Sequence, residues 1–234
     1  ARLSLDTSVP VHNDFESAVP VPPGAAAVRF GCSPESDSDR VVWQRLGENV
    51  PLRWLARRMI VRSSNLATNI VLSHLGSCPG SCRGLDAVNE VWRLAGATHS
   101  VTGRAIEDTA ARAAGISNQV TAADLAALLA AITTGNLLSP QARQEVLDVL
   151  LAQEHRDDLA AGLPAGTRVA HKGGWVKGVR HGAGVVFPDD SQPYVVVVCT
   201  TTGLTARDGG VDPARQLVAR VAAASWADRA TFSA

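Results

Sequence analysis

Thr167-Arg168-Val169-Ala170-His171-Lys172-Gly173-Gly174-Trp175 is a polar-apolar run that passes into a lysine and two glycines, and a second such run follows from Gly178 to Phe187. With a third run over about 193–202, joined by Gly- or Asp-containing turns, the pattern predicts an antiparallel meander whose first strand covers about 167–173. Lys172 is one of only two lysines against twenty arginines, the other being Lys177. A lysine ammonium is a compact charge whose pKa moves on burial, which arginine cannot offer. The glycines after it let a ligand or another backbone approach the strand closely. A lysine at a strand edge also guards against unwanted pairing, so the stretch by itself fixes a sheet and leaves its purpose open.

Upstream the periodicity is helical. Pro51 opens a helix with Leu52, Leu55, Ala56 and Met59 on one stripe. Ser63 or Ser64 caps a second, with Leu66, Ile70, Val71 and Leu75 as its apolar side and Gly76 as its end. A third runs from about Leu85 to Leu94. Residues 97–120 read as irregular, and a loop of that length in a compact domain is often functional. Thr121, with Asp124 three residues on, caps a helix over Ala122–Ile132 that is nearly all Ala and Leu and is expected to be buried. Ser139-Pro140 opens another, with Val146, Leu147, Leu150 and Leu151 as its face. A last helix, about Pro213 to Ala227, carries Leu217, Val218, Val221 and Ala224. Nearer the N-terminus the chain is loop-rich, and Val41-Val42-Trp43 reads as a brief extended segment. Helices, then a meander, then a terminal helix predict an α+β fold. We expect one domain over 1–234, with a helical part over about 40–160 and the sheet and terminal helix over about 165–228.

The 234 residues are 46% hydrophobic and 19% charged, with 22 basic and 22 acidic side chains in balance. A sizeable core is therefore possible, and bulk electrostatics offers no attraction to nucleic acid or an anionic membrane. The longest apolar run, Val195 to Cys199, is strand-sized, so no membrane span is expected. Cys78 and Cys82 lie in a turn-rich loop and fit a local disulfide or half of a metal site. No second Cys/His pair stands at zinc-ligand spacing, so no metal or cofactor is expected. Cys199, inside an apolar strand, is expected to be a buried thiol.

Ser63-Ser64-Asn65 at a helix start, a long loop, and then Lys172-x-Gly174 on a strand occur in an order that adds up to more than each alone. On these motifs the chain resembles class A β-lactamases and their actinobacterial serine-hydrolase relatives. Arg62-Ser63-Ser64-Asn65-Leu66-Ala67-Thr68-Asn69 resembles the Ser-Asp-Asn helix start, and Val120 to Leu125 the helix leaving the Ω-loop. His171-Lys172-Gly173-Gly174 resembles the Lys-Thr-Gly strand, and Gly178-Val179-Arg180 the next strand's start. Leu3-Ser4-Leu5-Asp6 resembles the segment after the nucleophile helix. The chain departs from the family in four ways. Ser-x-x-Lys occurs nowhere in it, Gly173 replaces Thr, Ser64 replaces Asp, and the Glu-x-x-Leu-Asn of the Ω-loop is absent. We expect that the nucleophile segment and the first sheet strands lie upstream of Ala1.

The resemblance implies a β-lactamase/transpeptidase-like fold and a serine hydrolase working by acylation and deacylation. It implies that Ser63 and Lys172 are catalytic, converging with Asn65 and Arg180, and that Glu107, with Asp108 as runner-up, is the deacylating base. It implies substrate contacts from Asn65, Gly174, the Trp175 N–H and Arg180, the arginine gripping a carboxylate that Gly173 no longer assists. The implied partner is a small β-lactam or peptidoglycan-like molecule, with a monomeric, secreted or envelope-located protein. A D-alanyl-D-alanine carboxypeptidase, an esterase and a non-catalytic penicillin-binding module are the alternatives. His171 and His181 are expected to be structural, and Trp175 and Trp92 packing groups.

Overall fold

The structure, a computed structural model, describes residues 4–76, 84–135, 137–203 and 212–233; Cys78 and Cys82 lie outside them. Two compact units emerge, one of residues 1–94 and 98–120, the other of 95–97 and 121–234.

In the first unit, β1 (Ser8–Pro10) pairs antiparallel with β4 (Asn49–Pro51), and β2 (Phe15–Glu16) with β3 (Arg29–Phe30). Between them α1 (Arg40–Trp43) is a helical turn where the apolar triplet 41–43 suggested extended chain. The reason is Asp39, whose carboxylate accepts the Val41 N–H and caps the turn. Then come α2 (Leu52–Val61), α3 (Asn65–Gly76), α4 (Gly84–Leu94) and the short α5 (Thr109–Ala113). Leu52 and Leu55 of α2 and Leu66, Ala67 and Ile70 of α3 bury against Val9, Val11, Phe15 and Val42. α4 crosses α3 so closely that a Cβ on Gly84 would lie 2.0 Å from the Leu72 carbonyl oxygen, which requires glycine there. The stretch from 97 to 120 is better tied than its composition suggested. It contains α5 and a Val101–Gln119 bridge, and the Asn118 side chain takes the N–H groups of Gly103 and Arg104.

The second unit holds α6 (Ala122–Thr134), α7 (Pro140–Leu151), the strands β5 (Arg168–Val176), β6 (Val179–Phe187) and β7 (Tyr194–Thr201), and α8 (Pro213–Ala227). Thr121 and Ser139 cap α6 and α7 through the N–H groups of Asp124 and Ala142. The sheet is the meander β5-β6-β7, antiparallel throughout. A two-residue turn, Lys177-Gly178, joins β5 to β6, and Gly178 takes the left-handed φ of 80° that such a turn demands. β5 therefore runs past the two glycines to Val176, three residues further than the glycines suggested.

Alternation decides which side chains are covered. Val169, Val186, Tyr194, Val196 and Val198 meet Leu159 and Ala160 of a 3-10 turn (Leu159–Gly162) and Leu163 just after it, together with Val218 and Ala222 of α8. Cys199 points to the other face from Val198 and is exposed, against the expectation of a buried thiol. On α8 the buried stripe is Ala214, Val218 and Ala222, while Leu217 and Val221 are exposed. Small residues line this stripe because α8 meets the 3-10 turn backbone to backbone. A Cβ on Gly162 would lie 1.9 Å from the Ala219 carbonyl oxygen. α6, expected to be buried all round, packs against β7 and is mostly half-buried, with Asp124 and Leu129 fully covered.

Candidate active site

The expected site residues fall into two clusters, one in each unit. In the first unit Ser63 and Glu107 both hold left-handed backbone conformations, with φ of 55° and 62°. Non-glycine residues held at positive φ cost free energy and gather at functional positions. Ser64 is fully buried. Its Oγ donates to Asp37 Oδ2 at 3.2 Å and accepts the Ala67 N–H at 3.1 Å. Asp37 also takes the N–H groups of Asn65 and Leu66 and the indole N–H of Trp43. Where the family motif places an acid at the middle position, this chain has Ser64, and the carboxylate at the α3 N-terminus comes from Asp37, 27 residues earlier. An anion is favoured there by the unpaired N–H groups and the helix dipole. Sequence reasoning missed Asp37, because a run of Ser and Asp reads as loop.

Asn65 and Glu107 are brought together. Asn65 Nδ2 donates to Glu107 Oε1 at 2.9 Å and to the Ser36 carbonyl at 3.3 Å. Ser36 Oγ donates to the same Oε1 at 2.7 Å, and the Ser33 N–H to Oε2 at 2.7 Å. Asn65 and these two serines hold the Glu107 carboxylate. The loop beneath is pinned on both sides. Asn69, one helical turn after Asn65, accepts the Ile106 N–H and donates to the Ile106 carbonyl. Asp108, the runner-up, is fully buried, caps α5 and takes Ser17 Oγ and the Ala18 N–H. Asp108 thus anchors the loop, while the Glu107 carboxylate is held beside Asn65. Cys32, in contact with Asn69, has its thiol pushed up to about 12 by burial and then by the charges of Glu107 and Asp37. Such a thiol is inert.

In the second unit Lys172 lies on β5 with its Nζ bonded to the Gly173 carbonyl. Burial lowers its pKa to about 8, opposed by the nearby Asp158. A lysine in that range exchanges a proton near neutral pH. Burial also raises the Asp158 carboxyl, against the pull of the Leu159 N–H and of Arg180. Arg180 on β6 stands opposite Trp175 on β5. Its Nε donates to Asp212 Oδ2 at 3.0 Å, its Nη1 is 3.8 Å from Asp158 Oδ2, and its Cζ lies 5.3 Å from the Trp175 ring centroid. Burial works to raise the Asp212 carboxyl, but the Ala214 N–H and Arg180 outweigh it and hold the group below its ordinary value. Gly174 is exposed, and Trp175 is 45% exposed with its ring edge-on to His155. His171 is fully buried, with neither ring nitrogen partnered among the described residues. Burial and then the charges of Arg156 and Lys172 push its pKa down to about 4. His181 accepts the Thr200 N–H and joins β6 to β7.

Among the described residues no group of three His, Cys, Asp or Glu is placed to hold a metal, and no helix is long and apolar enough to cross a membrane. The sequence model of the β-lactamase enzyme family matches residues 30–228. The chain belongs to that family. No curated protein sequence matches it. Among solved structures, a mutant of PBP-A in an acyl-enzyme complex with penicillin G aligns at a TM-score of 0.72 and 22% identity, over 97% of this chain and 74% of its own. L2 complexed with relebactam aligns at 0.71 and 24% identity, over 94% and 72%. A variant of the last common ancestor of Gram-negative bacteria β-lactamase class A aligns at 0.69 and 28% identity, over 82% and 71%. This β-lactamase-family chain therefore has the β-lactamase-like α+β fold, and it is of the serine-hydrolase type by family.

Proposed function

We propose that this chain is the larger part of a serine hydrolase that opens the β-lactam amide by acylation and deacylation. The observation that carries this reading is the bond between Asn65 Nδ2 and Glu107 Oε1, made at the start of α3 by a glutamate held at positive φ. It ties the strained carboxylate to the amide that the family motif places beside a substrate. A serine hydroxyl is a weak nucleophile and needs a neighbouring base; the reading requires a Ser-x-x-Lys from outside these 234 residues. Ser63 then passes the proton to the leaving nitrogen. Lys172, with a pKa near 8, keeps the local potential positive and serves as a proton partner. The N–H of Trp175, following the open Gly174, is one oxyanion donor, and losing such a donor costs about 2.7–4 kcal/mol of barrier. Glu107 activates the deacylating water. Because both its oxygens already receive donors, deacylation is the slower step, and this observation favours a penicillin-binding or carboxypeptidase reading as the second choice.

Intact-mass spectrometry on the full-length gene product mixed with benzylpenicillin tests the proposal. A penicilloyl adduct that forms and decays supports it, and Glu107→Gln should prolong the adduct without slowing its formation. A permanent adduct in the unmodified protein moves the assignment to a penicillin-binding module. No adduct, with turnover of a simple ester, moves it to an esterase. Export to the cell envelope belongs to the same proposal and is tested by fractionating the native host.

A further inference from the structure

Arg180, the residue that the resemblance offers as a carboxylate grip, already holds two carboxylates. Asp212 takes its Nε, Asp158 faces its Nη1, and the Trp175 ring covers its Cζ. It is 6% exposed. Asp158 is 2% exposed, fixed by the Leu159 N–H, and pressed against the strand so closely that a Cβ on Gly173 would lie 2.5 Å from its Oδ2. Real Cβ atoms do not come so close, so the carboxylate and the missing side chain at 173 are one feature. Where a hydroxyl-bearing residue would offer a donor to an anion, this chain lays down an anion of its own. Lys172 and Arg180 are balanced by Asp158 and Asp212. Next along β5 stand the exposed Trp175 and the 67% exposed Val176, both apolar, ahead of the exposed Lys177.

We infer that Asp158 is a specificity-determining residue: its own carboxylate occupies the anion position beside Gly173 and Arg180, so the end of β5 selects acyl substrates that bring an uncharged group there and disfavours those that bring a carboxylate. The inference rests on the hydrolase reading and its resemblance for a substrate anion beside Gly173 and Arg180, and on the structure for the carboxylate that stands there. A like charge facing a ligand carboxylate discriminates against it, and specificity is often set by such a repulsive element.

The test compares benzylpenicillin with its methyl ester as acylating agents of the full-length protein. The native protein should react with the ester at least as fast as with the free acid. Asp158→Asn should shift that ratio toward the free acid by about tenfold or more, a change of about 1.4 kcal/mol. Asn keeps the shape, and Asp158→Ser keeps an acceptor for the Leu159 N–H should Asn not fold. A native preference for the free acid, or a ratio unmoved in a folded variant, overturns the inference. Acetate serves as a second probe that needs no chemistry. It should raise the melting temperature of Asp158→Asn by a few degrees and leave the native protein unchanged. Equal stabilisation of both proteins overturns the inference. If neither compound acylates, the hydrolase reading fails, and the acetate comparison still decides whether Asp158 fills an anion position.

Discussion

Replacing Lys172 by Met should change how stability depends on pH. In the folded chain the Lys172 pKa is brought from 10.5 to about 8, chiefly by burial, with Asp158 holding it from falling further. Between those two values the unfolded chain binds a proton that the folded chain has released. The unfolding free energy of the native protein therefore rises with pH across that window. The full difference is about 3 kcal/mol, taking about 1.4 kcal/mol for each pKa unit. Below about pH 8 both states are protonated and the contribution is flat. Lys172→Met has no such proton. Urea unfolding of the two proteins at matched pH from 7 to 10.5 cancels whatever titrations the two share. The native protein should gain on the variant by about 3 kcal/mol over that range, a change readily resolved in the midpoint. A constant gap would mean that the ammonium is as well hydrated in the folded state as in the unfolded one. That would remove the argument that Lys172 is tuned for proton exchange.

His171 should give a slope of the same sign on the acid side. Its pKa is pushed down to about 4, so stability is lost as pH falls from about 6.5 toward 4, by about 3 kcal/mol; His171→Leu should flatten that slope in acid unfolding curves, and an unchanged slope would show that another group is responsible. Asp37→Ala removes the acceptor for Ser64 Oγ, two N–H groups of α3 and the Trp43 indole. We expect a loss of about 2–4 kcal/mol in denaturant unfolding. Gly162→Ala places a methyl group 1.9 Å from the Ala219 carbonyl oxygen and should lower stability by at least about 1–3 kcal/mol; a neutral effect would mean that α8 is free to shift.

The sequence was enough to place elements whose signals are local. Thr121, Ser139 and the Pro213 helix start were legible because a cap is a contact between near neighbours. The meander was legible because alternation and a Lys177-Gly178 turn act within a few residues. The motif order Ser63-Ser64-Asn65 and Lys172-x-Gly174 pointed to the family that the comparisons support. What was not legible depended on distance along the chain. Asp37 and Ser64 are far apart in sequence, and so are Asn69 and Ile106, yet these pairs set the α3 start and the strained turn at Glu107. The triplet 41–43 carries a strand-like composition, and one capping carboxylate at Asp39 overrode it.

Which of two neighbouring acids is buried as an anchor was likewise a tertiary matter. Glu107 and Asp108 are adjacent and chemically alike; burial and partners made Asp108 an anchor and left Glu107 beside Asn65. Cys199 shows the same division, since composition marks it apolar and only the register of β7 turns it outward. Gly173 is a single letter whose meaning depends on Asp158, a residue on another element. Local propensity and periodicity are encoded residue by residue and survive in the bare sequence. The charge state of Lys172, the company of Arg180 and the space beside Gly173 are properties of burial, and burial exists only once the chain has folded.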